Sequence, residues 1–391
     1  MTEATPPEPG HFPHYVDKAP FDPGAVEVLT PAQERFYSAS AFTIMWWKFR
    51  RHRLAVVSGI VLLLFYLCVP FAEVIAPYQP NQRHVDYLYA PPQGLHLFQD
   101  GEFVGPFVHP YTASVNLDLL RWDYERDETG VDRLRFFCLG EPYRFWGLVE
   151  GRFHLFCPPL GGTAFLAGTD RLGRDVFSGL VHGARISLTV GLIGVAISTL
   201  FGVVIGGMAG YFGGWIDSLV QRVIEVLRSL PELPLWMALS AALPVTWSPI
   251  LIYFGITIIL GLLDWPGLAR AVRSKLLALR EEEYAKAAVL MGASPSRVIS
   301  RHLVPGFMSH LIASATLSVP SMILGETALS FLNLGLRRPT ISWGVMLNEA
   351  QSVTIITVYP WLVAPVVPVI IVVLAFSFFG DGLRDAADPY K

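Results

Sequence analysis

Ionisable side chains are scarce in this chain, so the few set among apolar or glycine-rich neighbours are where chemistry could reside. Asp170, Arg174 and Asp175 stand close together in GTDRLGRDVFSGLVHGARISL, the run from Gly168 to Leu188 that also carries Thr169, Gly173 and Arg185. Opposite charges in a turn of this kind can pair with one another or meet a polar solute, and the pattern favours locking the turn. Glu225 and Arg228 are spaced to pair on one helix face, and Glu326 ends an apolar run. These three either line a polar path through a membrane or act structurally, the first two as an ion pair at its mouth and Glu326 as a loop cap. Cys138 and Cys157 fall on adjacent expected strands, where they form either a disulfide or two buried thiols; Cys68 lies in an apolar run and packs. His84, His96, His109 and His154 lack the short, regular spacing of a metal site. No Gly-x-x-x-x-Gly-Lys-Ser/Thr loop, His-Glu-x-x-His pair or Gly-x-Ser-x-Gly elbow occurs. The expectation is a protein that is not an enzyme, binds no metal and does not itself hydrolyse ATP.

The elements that must position these residues are membrane spans. Hydrophobic residues make up 52% of the 391 and charged ones only 16%, too apolar a balance for an ordinary soluble protein. The formal net charge of −3 carries little information, and no basic tract with interleaved aromatics points to nucleic acid. Residues 1–35 lack a core-forming pattern and read as a disordered cytoplasmic tail, with no cleavable signal peptide in view. Residues 36–53 place Phe42, Met45, Trp46 and Phe49 at helical spacing beside Lys48, Arg50, Arg51 and Arg53. This is either an amphipathic helix in the membrane interface or simply the start of the first span.

The first span is 54–75, and the basic cluster before it puts the N-terminus in the cytoplasm. Residues 76–167 then form an extracytoplasmic insert, with short strands at Leu134–Cys138, Tyr143–Val149 and Arg152–Cys157. Residues 168–391 hold five more spans: Ile186–Ala209, a third ending near Leu243 and kinked by Pro231 and Pro234, Ile250–Trp265, Phe307–Leu329 and Tyr359–Phe379. Arg270, Arg273, Lys275 and Arg280 put the loop 270–305 on the cytoplasmic side, and the C-terminus ends there too.

Within that loop, EEEYAKAAVLMGASPSRVISRHLVP (Glu281–Pro305) reads as two short helices joined at a glycine. Tyr284, Ala287, Ala288 and Met291 form one apolar face. Gly292 takes the left-handed position that ends the first helix. The Ser294 hydroxyl and Pro295 restart the second, which runs to Pro305.

This stretch resembles the cytoplasmic signature loop of ABC importer permeases: Glu-Ala-Ala, three residues, Gly, nine residues, Ile-x-Leu-Pro. Ala287, Ala288, Gly292 and Pro305 match, and Tyr284 and Ala293 fit the peptide-transporter branch. Lys286 stands for Glu, His302 for Ile and Val304 for Leu. The Gly168–Leu188 run is similar to the segment before the second span of oligopeptide, dipeptide and nickel-type permeases, through Gly168, Thr169, Asp170, Gly173, Arg174, Asp175, Gly183, Ala184, Arg185, Ser187 and Leu188. GETALSFLNLGLRRPTISWGVMLNEA resembles a third motif of that branch, with Asn333 replacing a Gly.

The resemblance implies an all-α integral membrane protein with six transmembrane helices of the type I ABC importer permease type, here carrying a small β-containing insert. It implies a multi-pass protein of the bacterial inner membrane that forms, with a second permease, the path for peptides or peptide-like solutes from periplasm to cytoplasm. Its further partners are two ATPase subunits and a periplasmic solute-binding protein. The loop centred on Glu283, Tyr284, Lys286, Ala287, Ala288, Gly292, Ala293 and Pro305 docks into the ATPase, which holds ATP and Mg2+; the permease binds no cofactor. The alternative is a stand-alone, ion-coupled secondary transporter.

Overall fold

A computed structural model describes residues 39, 41–117, 121–244 and 246–387. The expected tail, 1–35, and the start of the expected amphipathic helix lie outside them. Helix α1 (Ala41–Arg51) ends at His52, and the chain bends by 101° between the stretch 43–51 and α2 (Arg53–Cys68). The first helix is therefore not the straight start of a span. Phe49 stacks on Trp46 and meets Phe379 edge-on, while Arg50 and Arg51 are exposed. Helix α2 stops at Cys68, seven residues before the expected end of the first span, because Pro70 has no N–H to continue it. Its 16 residues rise about 24 Å, short of the roughly 30 Å of hydrocarbon in a bilayer. A short helix, α3 (Ala72–Ile75), follows the turn.

Among the described residues, seven strands occupy the next stretch, all paired antiparallel. β1 (His96–Gln99), β2 (Glu102–Val108) and β5 (Asp132–Arg133) form one sheet, and β3 (Tyr111–Asn116) pairs with β4 (Arg121–Arg126). β6 (Arg135–Phe145) and β7 (Val149–Cys157) form a long hairpin where the sequence divides into three short runs. Gly140-Glu141-Pro142 reads as a turn but makes only a register shift within β6, between Leu139 and Tyr143. Cys138 and Cys157 are joined by a disulfide. With free thiols alkylated before mass measurement, the expected result is one blocked cysteine, Cys68, in unreduced protein and three after reduction; three in unreduced protein would break the bridge.

The helical core begins at α4 (Val176–Phe212), whose first turn is capped by Asp175 accepting from the Ser178 N–H at 2.7 Å. α5 (Gly214–Ser229) and α6 (Glu232–Ala241) take the place of the expected third span. Prolines there do more than kink the helix: Leu230, preceding Pro231, is extended (ψ 138°) and the helix breaks. Pro234, in the first turn of α6, breaks nothing. α7 (Pro249–Leu279) passes through Pro266 instead of ending at Trp265, so the cations Arg270, Arg273 and Lys275 sit on helix, not loop.

The signature region holds α8 (Glu283–Leu290) and the single turn α9 (Pro295–Arg297). α10 (Met308–Phe331), the short α11 (Trp343–Asn348) and α12 (Val353–Val358), and α13 (Val366–Ala387) complete the chain. Among the described residues, four helical stretches are long and apolar enough to cross a membrane: 176–212, 249–279, 295–331 and 360–387. A fifth exists if the bent pair around His52 counts as one. α4 and α7 approach closely: a Cβ on Gly261 would sit 2.8 Å from the Gly194 carbonyl, the close packing that small residues permit between membrane helices.

Candidate functional site

Two clusters of sequence-singled residues form. In the first, Asp170 and Arg174 are buried, and the Arg174 Nε donates to Asp170 at 2.5 Å. Asp170 also accepts from the backbone N–H of Leu172 and Arg174 at 2.9 and 3.0 Å, the turn lock expected of it. The sequence reading missed the rest of the cluster. Arg174 Nη2 donates to Glu349 at 2.7 Å, and Arg338 donates to Glu349 at 3.0 Å and to Asp170 at 3.2 Å. Two cations and two carboxylates thus close a ring that ties the segment before α4 to the loop after α10 and to the end of α11. The space beside them is about 20 Å³, room for about one water and not for a solute.

The surrounding backbone explains the glycines. Gly168 and Gly173 both have positive φ (75° and 71°), and a Cβ on Gly173 would collide with the His84 carbonyl. Thr169 accepts from the Ala90 N–H and donates to the Tyr87 carbonyl, stitching 84–90 to this turn. Arg185 sits apart from the ring. Its guanidinium holds Glu73 at 2.7 and 2.6 Å and donates to the Val69 carbonyl, joining α4 to the end of α2. Burial alone would raise the Glu73 carboxyl, but the bonds and charge from Arg185 outweigh it and hold Glu73 below the usual glutamate range. A carboxylate inside an expected span was the available signal for such a partner.

Of the residues proposed to line a path, Glu326 is fully buried. It accepts from Ser187 Oγ at 3.0 Å and Ser330 Oγ at 2.8 Å; these hydroxyls in turn accept from the Trp343 and Leu336 N–H groups. Through these two serines the carboxylate is connected to the backbone of the 332–343 loop. Glu225 pairs with Arg222 at 3.0 Å, not with Arg228, and both partners are exposed. Arg228 instead reaches toward Gly267 of α7. Arg273, read in the sequence only as a marker of the cytoplasmic side, forms a bidentate pair with Asp217 between α5 and α7. Asp264, passed over in the sequence, accepts from Ser198 Oγ at 3.1 Å.

The second cluster is the helix pair around Gly292. Gly292 has φ 81°; its N–H bonds the Val289 carbonyl at 2.9 Å and the Ala293 N–H bonds Ala288 at 3.0 Å. This is the Schellman pattern that left-handed glycine permits. The restart differs from expectation: Ser294 is the cap residue by backbone, but its hydroxyl faces Ser296 and caps nothing. Nor does the second helix end at Pro305. Because Pro305 lacks an N–H, the chain passes through a π turn (298–303) and a 3-10 turn (304–307) directly into α10.

The buried face also differs. Ala285 and Ala288 are inside, sharing a core with Leu276, Val298 and Leu303, whereas Tyr284, Ala287 and Met291 point outward. Leu290 is 87% exposed and Met291 83%, an apolar tip that a lone soluble surface would avoid. Lys286 pairs with Glu281, which precedes α8, at 3.2 Å, and this bond, with the charge of Lys286, holds the exposed Glu281 carboxyl below its usual range.

Long apolar helices and a helix pair with an exposed apolar tip suit a membrane-embedded subunit that meets a partner. The sequence model of binding-protein-dependent transport system inner membrane components matches residues 202–390, and that of the N-terminal transmembrane domain of oligopeptide transport permease C matches 40–92. The chain is 42% identical over 223 residues to the dipeptide transport system permease protein DppC of Bacillus subtilis, covering 57% of this chain and 68% of that one. It is 36% identical over 227 residues to the glutathione transport system permease protein GsiD of Pectobacterium atrosepticum, covering 58% and 73%. A solved structure of the MetNI methionine ABC transporter in inward-facing conformations aligns with a TM-score of 0.42 at 18% identity, over 55% of this chain and 98% of that one. The chain belongs to the binding-protein-dependent transport system inner membrane components, the permease subunits of ABC importers, and its role is transport, not catalysis.

Proposed function

We propose that this permease carries peptides or peptide-like solutes inward across the bacterial inner membrane, as one of two permeases in a type I importer. The observation that carries the reading is the helix pair around Gly292. Its inner face is fixed to α7 and α10 through Ala285 and Ala288, and its outer face presents Tyr284, Leu290 and Met291. A partner that seats this outer face moves both long helices with it. The partner is an ATPase, of which the assembly holds two, each supplying ATP and Mg2+ chemistry that this chain lacks. Relatives named for dipeptide and glutathione transport support the solute class.

In this reading both termini and the helix pair are cytoplasmic, in keeping with Arg270, Arg273, Lys275 and Arg280 near the inner ends of the spans. The strand-bearing insert and the Asp170–Glu349 ring face the periplasm, where a solute-binding protein delivers cargo and a disulfide persists. Six crossings result if α2 and the broken α5–α6 pair each complete a span within the assembly. The ATPase motion biases the two permeases between outward- and inward-facing states.

Affinity purification of the tagged chain in mild detergent tests this. The expected result is co-recovery of a second permease and ATPases bearing phosphate loops. Recovery alone or as a homodimer, under conditions that keep a known importer intact, would return the reading to an ion-coupled transporter.

A further inference from the structure

The hairpin β6–β7 lies outside both matched family segments, 40–92 and 202–390, and its tip is placed in an unusual position. Trp146 closes the turn with φ 53°, its indole N–H donates to the Pro70 carbonyl at 3.2 Å, and its backbone N–H donates to Glu73 at 3.3 Å. The Arg185 guanidinium lies 4.2 Å from the centre of the indole ring. Every one of these contacts is with the few residues just beyond the end of α2 at Cys68, or with the arginine after which α4 carries no charged side chain. The tip is therefore clasped at the level where apolar helix gives way to polar chain.

What the tip exposes there is apolar. Leu148 is 86% exposed and Val149 65%. The outward stripe of α2, Leu63, Leu64 and Leu67, continues through Phe71 toward Trp146. Immediately up the hairpin, Arg144 and Glu150 sit opposite each other in register and pair at 3.4 Å, so a charged rim bounds the apolar tip. An indole and an arginine at the boundary, aliphatic side chains on one side and charges on the other, is the chemistry of the zone between headgroups and acyl chains.

We propose that the β6–β7 tip is a lipid anchor, with Leu148 and Val149 dipped into the headgroup–acyl boundary beside α2 and Trp146 at its level. The anchor fixes the insert's height above the membrane and holds the hairpin against the ends of α2 and α4. It requires only that the helices cross a bilayer, and stands whatever solute the permease carries.

The test uses the full chain in its purified complex, with Leu148→Cys in a Cys68→Ser background, labelled with an environment-sensitive nitrobenzoxadiazole dye. The complex is reconstituted in phosphatidylcholine vesicles containing lipids brominated at shallow or deep acyl positions. A side chain roughly 5–10 Å into the boundary should lose emission about twofold with shallow bromines and less with deep ones. The same label at Leu139→Cys should keep its emission, because its cross-strand partner Phe153 lies five residues from Leu148, about 16 Å up the hairpin at ~3.3 Å per residue. No quenching at position 148 would overturn the anchor, whether the emission is red as in water or blue as under a protein partner. Equal quenching at 148 and 139 would overturn it as well.

Discussion

Gly292→Val should abolish most uptake while leaving the protein in the membrane. Position 292 sits at φ 81°, and nothing lies within 4 Å of where a Cβ would be. The damage is therefore backbone strain alone, not a clash. A β-branched residue in the left-handed region costs on the order of 1–3 kcal/mol, and the turn can escape that cost only by releasing the Ala293–Ala288 bond that sets the angle of the second helix. Since α9 runs without a break into α10, a changed angle misdirects a lever that reaches into the membrane. A shift of that size in a two-state coupling corresponds to roughly 5- to 150-fold in uptake. Gly292→Asn is the control, because asparagine visits the left-handed region at little cost and should retain most uptake. The readout is accumulation of labelled di- and tripeptides by cells expressing the whole transporter, alongside ATP hydrolysis by the purified complex. Hydrolysis should persist in the valine variant. Equal uptake by the valine and asparagine variants would remove this turn from coupling.

The same turn illustrates what the sequence could reveal. Gly292 was legible because a left-handed helix end leaves one residue type with no steric penalty, and that requirement is local. The face of α8 was not. Tyr284, Ala287 and Met291 share a helix stripe with Ala288, and periodicity alone cannot tell a stripe that meets this chain's core from one that awaits a partner. Prolines misled in opposite directions: Pro266 lies inside a helix whose neighbours hold it together, whereas Pro231 ends one. Pro70, at the end of a span read as longer, stops it.

The paired charges divide by range. Asp170 with Arg174 was visible because four residues separate them. Glu349 and Arg338 lie 175 and 168 residues from their partners, and no spacing rule reaches that far. Glu225 shows the converse: two cations, Arg222 and Arg228, stood at equal separation on either side of it, and only three-dimensional packing selected Arg222.

The long-range ring gives the largest expected effect on stability. Arg174→Ala leaves Asp170 and Glu349 sharing the single cation Arg338, hence one uncompensated negative charge at a site where both carboxylates are nearly fully buried. Removing one member of a buried ion pair costs about 3–5 kcal/mol, which should lower the thermal midpoint in detergent by roughly 5 °C or more. Arg174→Lys should not rescue it, because Nε faces Asp170 and Nη2 faces Glu349, and one ammonium cannot serve two carboxylates with a guanidinium's planar geometry. Arg144→Ala removes an equally visible ion pair, but an exposed one, and should cost about 0–1 kcal/mol. The decisive comparison is Arg174→Met combined with Glu349→Met. That pair of changes restores charge balance, leaving Arg338 with Asp170 at 3.2 Å, so its loss should be smaller than the sum of the two single losses. Additive losses would mean that the four groups do not act as one ring. In that case the segment before α4 and the end of α11 would be held together by apolar contacts such as Val176 with Met346, and not by charge.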